Sequence, residues 1–338
     1  MIIPLVIIGL LCLWGIRFSG FHEDYCAPEP TTAIKGVLIL LVFCSHAIGY
    51  LSPPETVESH IYQRILYFIG QSMVAPFFFY SGYGIAESVK IKPGYRSTFL
   101  KRRFLKTLLH FDIAVLLFVL VSFIFRTPYT LKEYLLCWTG WESVGNSNWF
   151  IFVILALYLS AFAAMSIPRG SLFIKTLIPS VLLWIVLYFT HTGEPWWYDT
   201  ILAFPLGILF SETKPQIDNL LHKPVSWAAV FIFLFCAYPG MHYLIGVDIW
   251  GIVSCLFCLL IVVLTMKVHI GNPVLQWLGK NVFPIYILQR LPMLVLAHFG
   301  LNQNIPLFMI LSLILTLLLA WGFSACMSIL DKKIFARG

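Results

Sequence analysis

The chain alternates long apolar runs with short polar breaks from one end to the other. Runs fall near 2–16, 36–51, 65–89, 104–125, 148–167, 172–190, 198–210, 225–240, 245–266, 282–299 and 305–329. A helix needs roughly 20 apolar residues to cross a bilayer, and most of these runs approach that length. Those at 2–16, 198–210 and 225–240 are short. Hydrocarbon offers the backbone no hydrogen-bond partner, so a spanning segment must satisfy its own amides, and runs of this length do so as helices. The pattern predicts an all-α, polytopic membrane helical bundle of about 10–11 transmembrane helices. The two similar halves of an inverted-repeat transporter are not visible. The first run lacks a basic start and a small-residue cleavage pattern, and Arg17 follows it, so it reads as a retained helix.

Composition agrees. Of 338 residues, 60% are hydrophobic and 11% charged, against about 25% charged in a soluble domain. No soluble domain is left over, so the net charge of +7 does not point to nucleic acid. It belongs on cytoplasmic loops. The densest basic stretch is KIKPGYRSTFLKRRFLK at 90–106. With that stretch in the cytoplasm, alternation through eleven spans puts every Lys and Arg inside except Arg64, Arg126, Lys132 and the embedded Arg290. The N-terminus is then outside and the C-terminus cytoplasmic. Of eight cysteines, six fall in apolar runs, and only Cys26 and Cys137 look loop-like. Cys255 and Cys258 form a C-x-x-C with no His or second pair nearby, so they read as packing residues and no metal is expected.

Polar residues inside the runs carry the candidate chemistry. Lys35 and His46 are eleven residues apart in TTAIKGVLILLVFCSHAIGY. Eleven helical steps make three turns plus about 20°, so both lie on one helix face, roughly 16 Å apart along the axis. With Lys35 at one bilayer surface, His46 falls near the middle of the hydrocarbon. A titratable group there is costly and reads as functional. A neutral imidazole suits a general base acting on a hydroxyl. In the third run Pro76 should kink the helix, and Ser81-Gly82-Tyr83-Gly84 interrupts it. Those small residues fit close helix packing or a pocket wall. Lys101, Arg102 and Arg103 open the next run. They fit either a solvated basic loop or a site for a ligand carrying several phosphates.

Asn148 and Trp149 follow an aromatic loop, and Trp197 and Asp199 belong to another. Both stretches fit an interfacial aromatic belt. The alternative is a sugar-stacking rim, with Asp199 and Glu142 accepting hydrogen bonds from hydroxyls. Gln289 and Arg290 lie in the middle of a late run, where Arg290 should point into the bundle toward a carbonyl or an acid such as Asp112.

Together these pieces resemble the acyltransferase-3 family of integral membrane acyltransferases. Its first motif, a basic residue, ten intervening residues and then His on one helix, matches Lys35 to His46. A second motif, a span ending in FF with SG close behind, matches Phe78-Phe79-Tyr80-Ser81-Gly82, and a following basic segment matches Lys101-Arg102-Arg103. A late helix resembling G-x-x-S-x-x-IYL-x-H appears as GKNVFPIYILQ. It departs at Pro284 and at Gln289, where many members have His, which leaves His46 as the favoured base. The resemblance spans about 31–330. It sets off an additional N-terminal helix with a cytoplasmic loop at 1–30 and a short basic tail at 331–338, with no appended esterase-like domain.

The resemblance implies O-acylation, with acetyl-CoA as donor and a glycan or lipid-linked sugar as acceptor, in the inner membrane of a bacterium and among its lipids. In that reading His46 is the base or a transient acyl carrier. Lys35, Lys101, Arg102 and Arg103 hold the phosphates, and Ser81 and Tyr83 line the pantetheine path. Trp149, Asn148, Trp197, Asp199, Arg290 and Gln289 face the acceptor. Embedded charges alone also permit a transporter or flippase for a lipid-linked sugar or small anion. A non-catalytic partner of a polysaccharide synthase would need none of these polar residues.

Overall fold

The computed structural model describes residues 1–18, 20–244 and 250–335. Arg337, counted above among the basic residues of the tail, lies outside them. Each of the eleven apolar runs carries helix among its described residues; positions 245–249, at the start of the ninth run, lie outside them. They are α1 (Ile3–Leu13), α2 (Pro28–Ile48), α3 and α4 (Val57–Ile69 and Ala75–Ile91), then α5 and α6 (Tyr95–Phe99 and Lys106–Phe125) joined by a π-helical turn over Leu100–Leu105. A short α7 (Leu131–Leu136) precedes α8 (Trp149–Ser166), α9 (Leu172–Thr190), α10 (Ala203–Leu221), α11 (Pro224–Leu244) and α12 (Trp250–Thr265). The chain closes with α13 (Pro273–Lys280), α14 (Val282–Leu288), α15 (Arg290–His298) and α16 (Ile305–Ile334). The only strands among the described residues are Arg17–Phe18 and Val268–His269, paired antiparallel. Seven of the described helical segments are long and apolar enough to cross a membrane, and three shorter apolar ones accompany them. The protein is an all-α polytopic bundle.

Helix ends depart from the apolar runs for local reasons. The second run spans 36–51, but α2 starts at Pro28 and ends at Ile48. Lys35 is therefore two turns inside α2, and His46 sits in its last turn. The expected Pro76 kink is replaced by a break. Gly70 (φ +47°) and a 3-10 turn over Gly70–Met73 separate α3 from α4, and Pro76 occupies the first turn of α4, where its missing N–H costs nothing. The α14–α15 break falls at Gln289. Pro292 has no N–H to give the Leu288 carbonyl four residues back, which opens the helix there. α13 is an amphipathic helix that no apolar run announced. Its cues are local: Asn272 accepts a hydrogen bond from the Leu275 N–H as N-cap, and Pro273 follows at the first position.

Glycines set the two closest helix contacts. A Cβ on Gly82 would collide with the Phe204 carbonyl, and one on Gly207 with the Phe79 carbonyl, so α4 and α10 meet backbone to backbone. Gly36 and Gly279 do the same for α2 and α13, against the Leu275 and Thr32 carbonyls. Small residues permit this approach, and dispersion contacts then replace side-chain bulk. Basic residues gather at one end of the bundle. Lys106 pairs with Asp331 near the end of α16 (2.7 Å), and Lys35 lies close to Arg103. α1 packs on the outside, with Ile8 its one buried residue, and is anchored where Asn272 donates to the Leu11 and Trp14 carbonyls.

Enlarging Gly82 or Gly207 to Leu should lower the thermal midpoint of the detergent-solubilised protein, since overpacking costs about 1–3 kcal/mol or more. Gly84→Ala, whose Cβ meets open space, should leave it unchanged. Fluorescence-detected size exclusion after a temperature series reads both. Equal behaviour of Gly82→Leu and Gly84→Ala would contradict the packing account.

Candidate active site between the basic end and the far end

The α2 face predicted from spacing is the wall of a void. Lys35, Ile39, Val42 and His46 recur every three or four residues, so they form one stripe. Ile39 and Val42 line a cavity of about 150 Å³ with Val74, Phe77, Ser81, Thr107, Phe150, Ile154, Tyr158, Val282, Phe283 and Tyr286. At the basic end a wider mouth of about 450 Å³ is lined by Arg102, Arg103, Lys106, His110, Asp331 and residues of α14 and α16. The mouth and the inner cavity share Thr107, Tyr158 and Phe283, so the two adjoin.

The mouth is mostly cationic. The π-helical turn carries Arg102, which is exposed, and Arg103, which is half-buried against the Tyr95 and Tyr158 hydroxyls. Asp331 holds Lys106 and His110 (2.7 and 2.9 Å). The path continues inward where Ser81 donates to the Tyr158 hydroxyl (3.2 Å). Walls beyond that point are apolar apart from Thr107 and Tyr286.

At the far end of the stripe His46 lies deep inside the bundle but keeps accessible surface, as a side chain beside a void does. Its Nδ1 faces Ser147 Oγ at 3.5 Å, and its ring is 6.1 Å from that of Tyr286. Arg290 Nε donates to the Tyr50 hydroxyl (3.2 Å), and one Nη donates to the Asn146 carbonyl (3.3 Å). No carboxylate pairs with Arg290 among the described residues. Asn146 and Ser147 reach this point through Gly145 (φ +96°), where a Cβ would press on Leu294 of α15. Asn146 Oδ1 accepts the Val144 N–H and the Ser143 hydroxyl, closing a tight turn.

Most residues expected from the sequence are present, but they do not all converge. His46 and Arg290 meet at the far end of the stripe, and Lys35, Arg102 and Arg103 meet at the basic end. Ser81 lines the inner cavity, whereas Tyr83, two positions on, faces away from it toward Phe210 and Cys26. Lys101 is half-buried and lies outside the mouth lining. Gln289 is fully buried, its Nε2 donating to the Tyr286 carbonyl (3.4 Å). Asn148 is spent on its own loop, donating to the Gly140 and Trp141 carbonyls, and Trp149 packs edge-on against Phe150.

Trp197 is not an open stacking face. It is 3% exposed and lies flat on His191 at 3.9 Å, beside Trp141. Glu142 pairs with Lys132, and Asp112 makes no ion pair among the described residues. Cys26 lies in a turn and Cys137 in a 3-10 turn, outside the long helices, and both are buried free thiols. Tyr50, Asn146, Ser147, Tyr158 and Tyr286 were not singled out. Tyrosines in aromatic-rich runs read as packing, and the polar run SVGNSN gives only a faint signal of a buried loop.

A family model for an acyltransferase domain matches residues 32–325 of the 338. The chain belongs to the acyltransferase-3 family. No curated protein and no solved structure matches it. Family membership makes the chain a membrane acyltransferase, and the match includes Lys35, His46, Arg102, Arg103 and Arg290.

Asp199 gives this end of the molecule a pH signature. Burial pushes its carboxyl up to about 8. The unfolded chain ionises near 4, so its contribution to stability is complete below about pH 4 and is lost as pH rises toward 8. Asp199→Asn should therefore raise the thermal midpoint by an amount that grows between pH 4 and 8 and then levels off. A pH-independent difference would contradict the buried, protonated assignment.

Proposed function

We propose that the protein transfers an acetyl group from acetyl-CoA to a hydroxyl of a glycan or lipid-linked sugar. The observation that carries this is the order of features along one face of α2: a cationic mouth at one end, a cavity against Ile39 and Val42, and His46 beside Tyr286, which lines that cavity. Arg102, Arg103, Lys106 and the nearby Lys35 would hold the phosphates of CoA. Arg is suited to gripping phosphate in bidentate fashion. The narrow inner cavity would take the pantetheine chain past Ser81 and Tyr158. In this reading the basic end faces the cytoplasm of a bacterial inner membrane, the N-terminus lies outside and the C-terminus inside.

With Nδ1 turned to Ser147, Nε2 of His46 is the nitrogen left for the acceptor. Nε2 takes the proton from the acceptor hydroxyl as its oxygen bonds to the thioester carbonyl carbon. Collapse of the tetrahedral species breaks the C–S bond, and the imidazolium returns the proton to the departing thiolate. In the covalent variant Nε2 itself attacks the thioester carbon and CoA leaves as its thiolate; the acceptor oxygen then takes the acetyl group from the imidazole, and the acceptor's proton neutralises the thiolate. Transport of a lipid-linked sugar or small anion would require no CoA site.

His46→Ala should insert and fold normally while acetyl transfer falls about 10²- to 10⁴-fold. Labelled acetyl-CoA with membrane vesicles, and mass spectrometry of the surface glycans, read the loss. Unchanged transfer would refute the role. CoA should bind the purified protein, and Arg102→Gln with Arg103→Gln should weaken that binding about tenfold or more. A protein that binds no CoA would point to transport instead.

A further inference from the structure

Beside His46 stands a cation that the reaction above does not use. Arg290 is half-buried at the junction of the α2 end, the 143–148 loop and the start of α15, and among the described residues it meets the Tyr50 hydroxyl and ring and the Asn146 carbonyl but no carboxylate. A guanidinium drawn into a bundle ordinarily meets a carboxylate, because desolvation of the charge is otherwise poorly offset. The neighbouring side chains are also incompletely satisfied. Asn146 is 1% exposed, and its Nδ2 has no partner. Tyr286 is 5% exposed, and its hydroxyl faces Ser147 and Arg290 without a well-formed hydrogen bond. Buried donors are rarely left unpaired, and each such group calls for an explanation. Here two of them lie close to a cation without a counter-ion and to the imidazole.

We propose that Arg290, with Asn146 Nδ2 and the Tyr286 hydroxyl, binds an anionic group of the acceptor, so that the acylated molecule is an acidic one. The shared chemistry is an oxyanion, either the carboxylate of a uronic-type sugar or the phosphate that joins a sugar to its lipid carrier. The guanidinium fork can hold either in bidentate fashion. Held there, the anion would fix an adjacent hydroxyl at His46 Nε2. The proposal rests on the acyl-transfer reading in placing that hydroxyl at the imidazole. It goes further in assigning the acceptor a charge. A neutral glycan would leave the cation and both donors as they are.

The test uses the full-length protein in nanodiscs with CoA present to occupy the basic mouth. The probes are methyl glucuronide and geranyl phosphate, and their uncharged controls are methyl glucoside and geraniol. Binding is followed by tryptophan fluorescence and by competition in the acetyl-transfer assay. One charged probe should bind at least about tenfold more tightly than its control, and which one does so distinguishes sugar carboxylate from lipid phosphate. Arg290→Gln should abolish that preference, raising KM for the acceptor while CoA binding stays unchanged, and Arg290→Lys should restore part of it. Equal binding of charged and uncharged probes in the wild-type protein would overturn the proposal without any variant having to fold. A fall in kcat and in acceptor-free acetyl-CoA hydrolysis, with the acceptor KM unchanged, would overturn it in favour of oxyanion stabilisation. Charge-selective binding at Arg290 in a protein that binds no CoA would sink the acyl-transfer reading and leave the anion site standing.

Discussion

Polar groups placed at the depth of hydrocarbon must be enclosed by protein, and that constraint organises this molecule. α2 carries a Lys and a His on the same face, and neither can be left against lipid tails without a large penalty. α4, α6, α8 and α14 therefore close around that face and bury it. Ile39 and Val42 are fully buried beside an internal cavity, and Lys35 and His46 at either end of the stripe are half-buried. The result is a polar mouth, an apolar inner cavity and a polar cluster in order along one helix.

Close backbone packing makes the enclosure possible. Gly82 against Phe204 and Gly207 against Phe79 draw α4 onto α10, and Gly36 with Gly279 draws α13 onto α2. Ser81 is the neighbour of Gly82 on α4, so the contact that fixes α4 also aims Ser81 at Tyr158. Gly82 therefore serves packing while Ser81 serves the pocket wall, and the two readings of SGYG divide between adjacent residues. Gly145 plays the same part at the other end. Its left-handed backbone folds the loop inward and delivers Asn146 and Ser147 to His46 and Arg290.

The two ends of the path differ in how their cations are handled, and the difference is chemical. At the mouth Asp331 restrains Lys106 and His110, and water reaches the exposed Arg102. Around Arg290 the contacts among the described residues are the Tyr50 hydroxyl and ring and a backbone carbonyl. An exposed cation is screened by water, whereas a half-buried one makes stronger charge-assisted hydrogen bonds because less water competes.

The sequence by itself determined the helical class, the eleven helical segments and the shared face of Lys35 and His46. Apolar run length and the 3.6-residue period are local properties that tertiary contacts do not alter. It also marked the basic stretch, since Lys and Arg density needs no partner to be counted. Only the tertiary structure decided which side chains complete the two ends. Tyr158 and Phe283 join the mouth to the inner cavity from helices more than a hundred residues apart, and Tyr50, Ser147 and Tyr286 meet beside His46 across similar separations. Tyr83 and Trp197 turned elsewhere for the same reason. Which way a side chain on a buried helix points depends on which neighbour's backbone comes close, and that is fixed by glycines on other helices rather than by the residue's own surroundings in the chain.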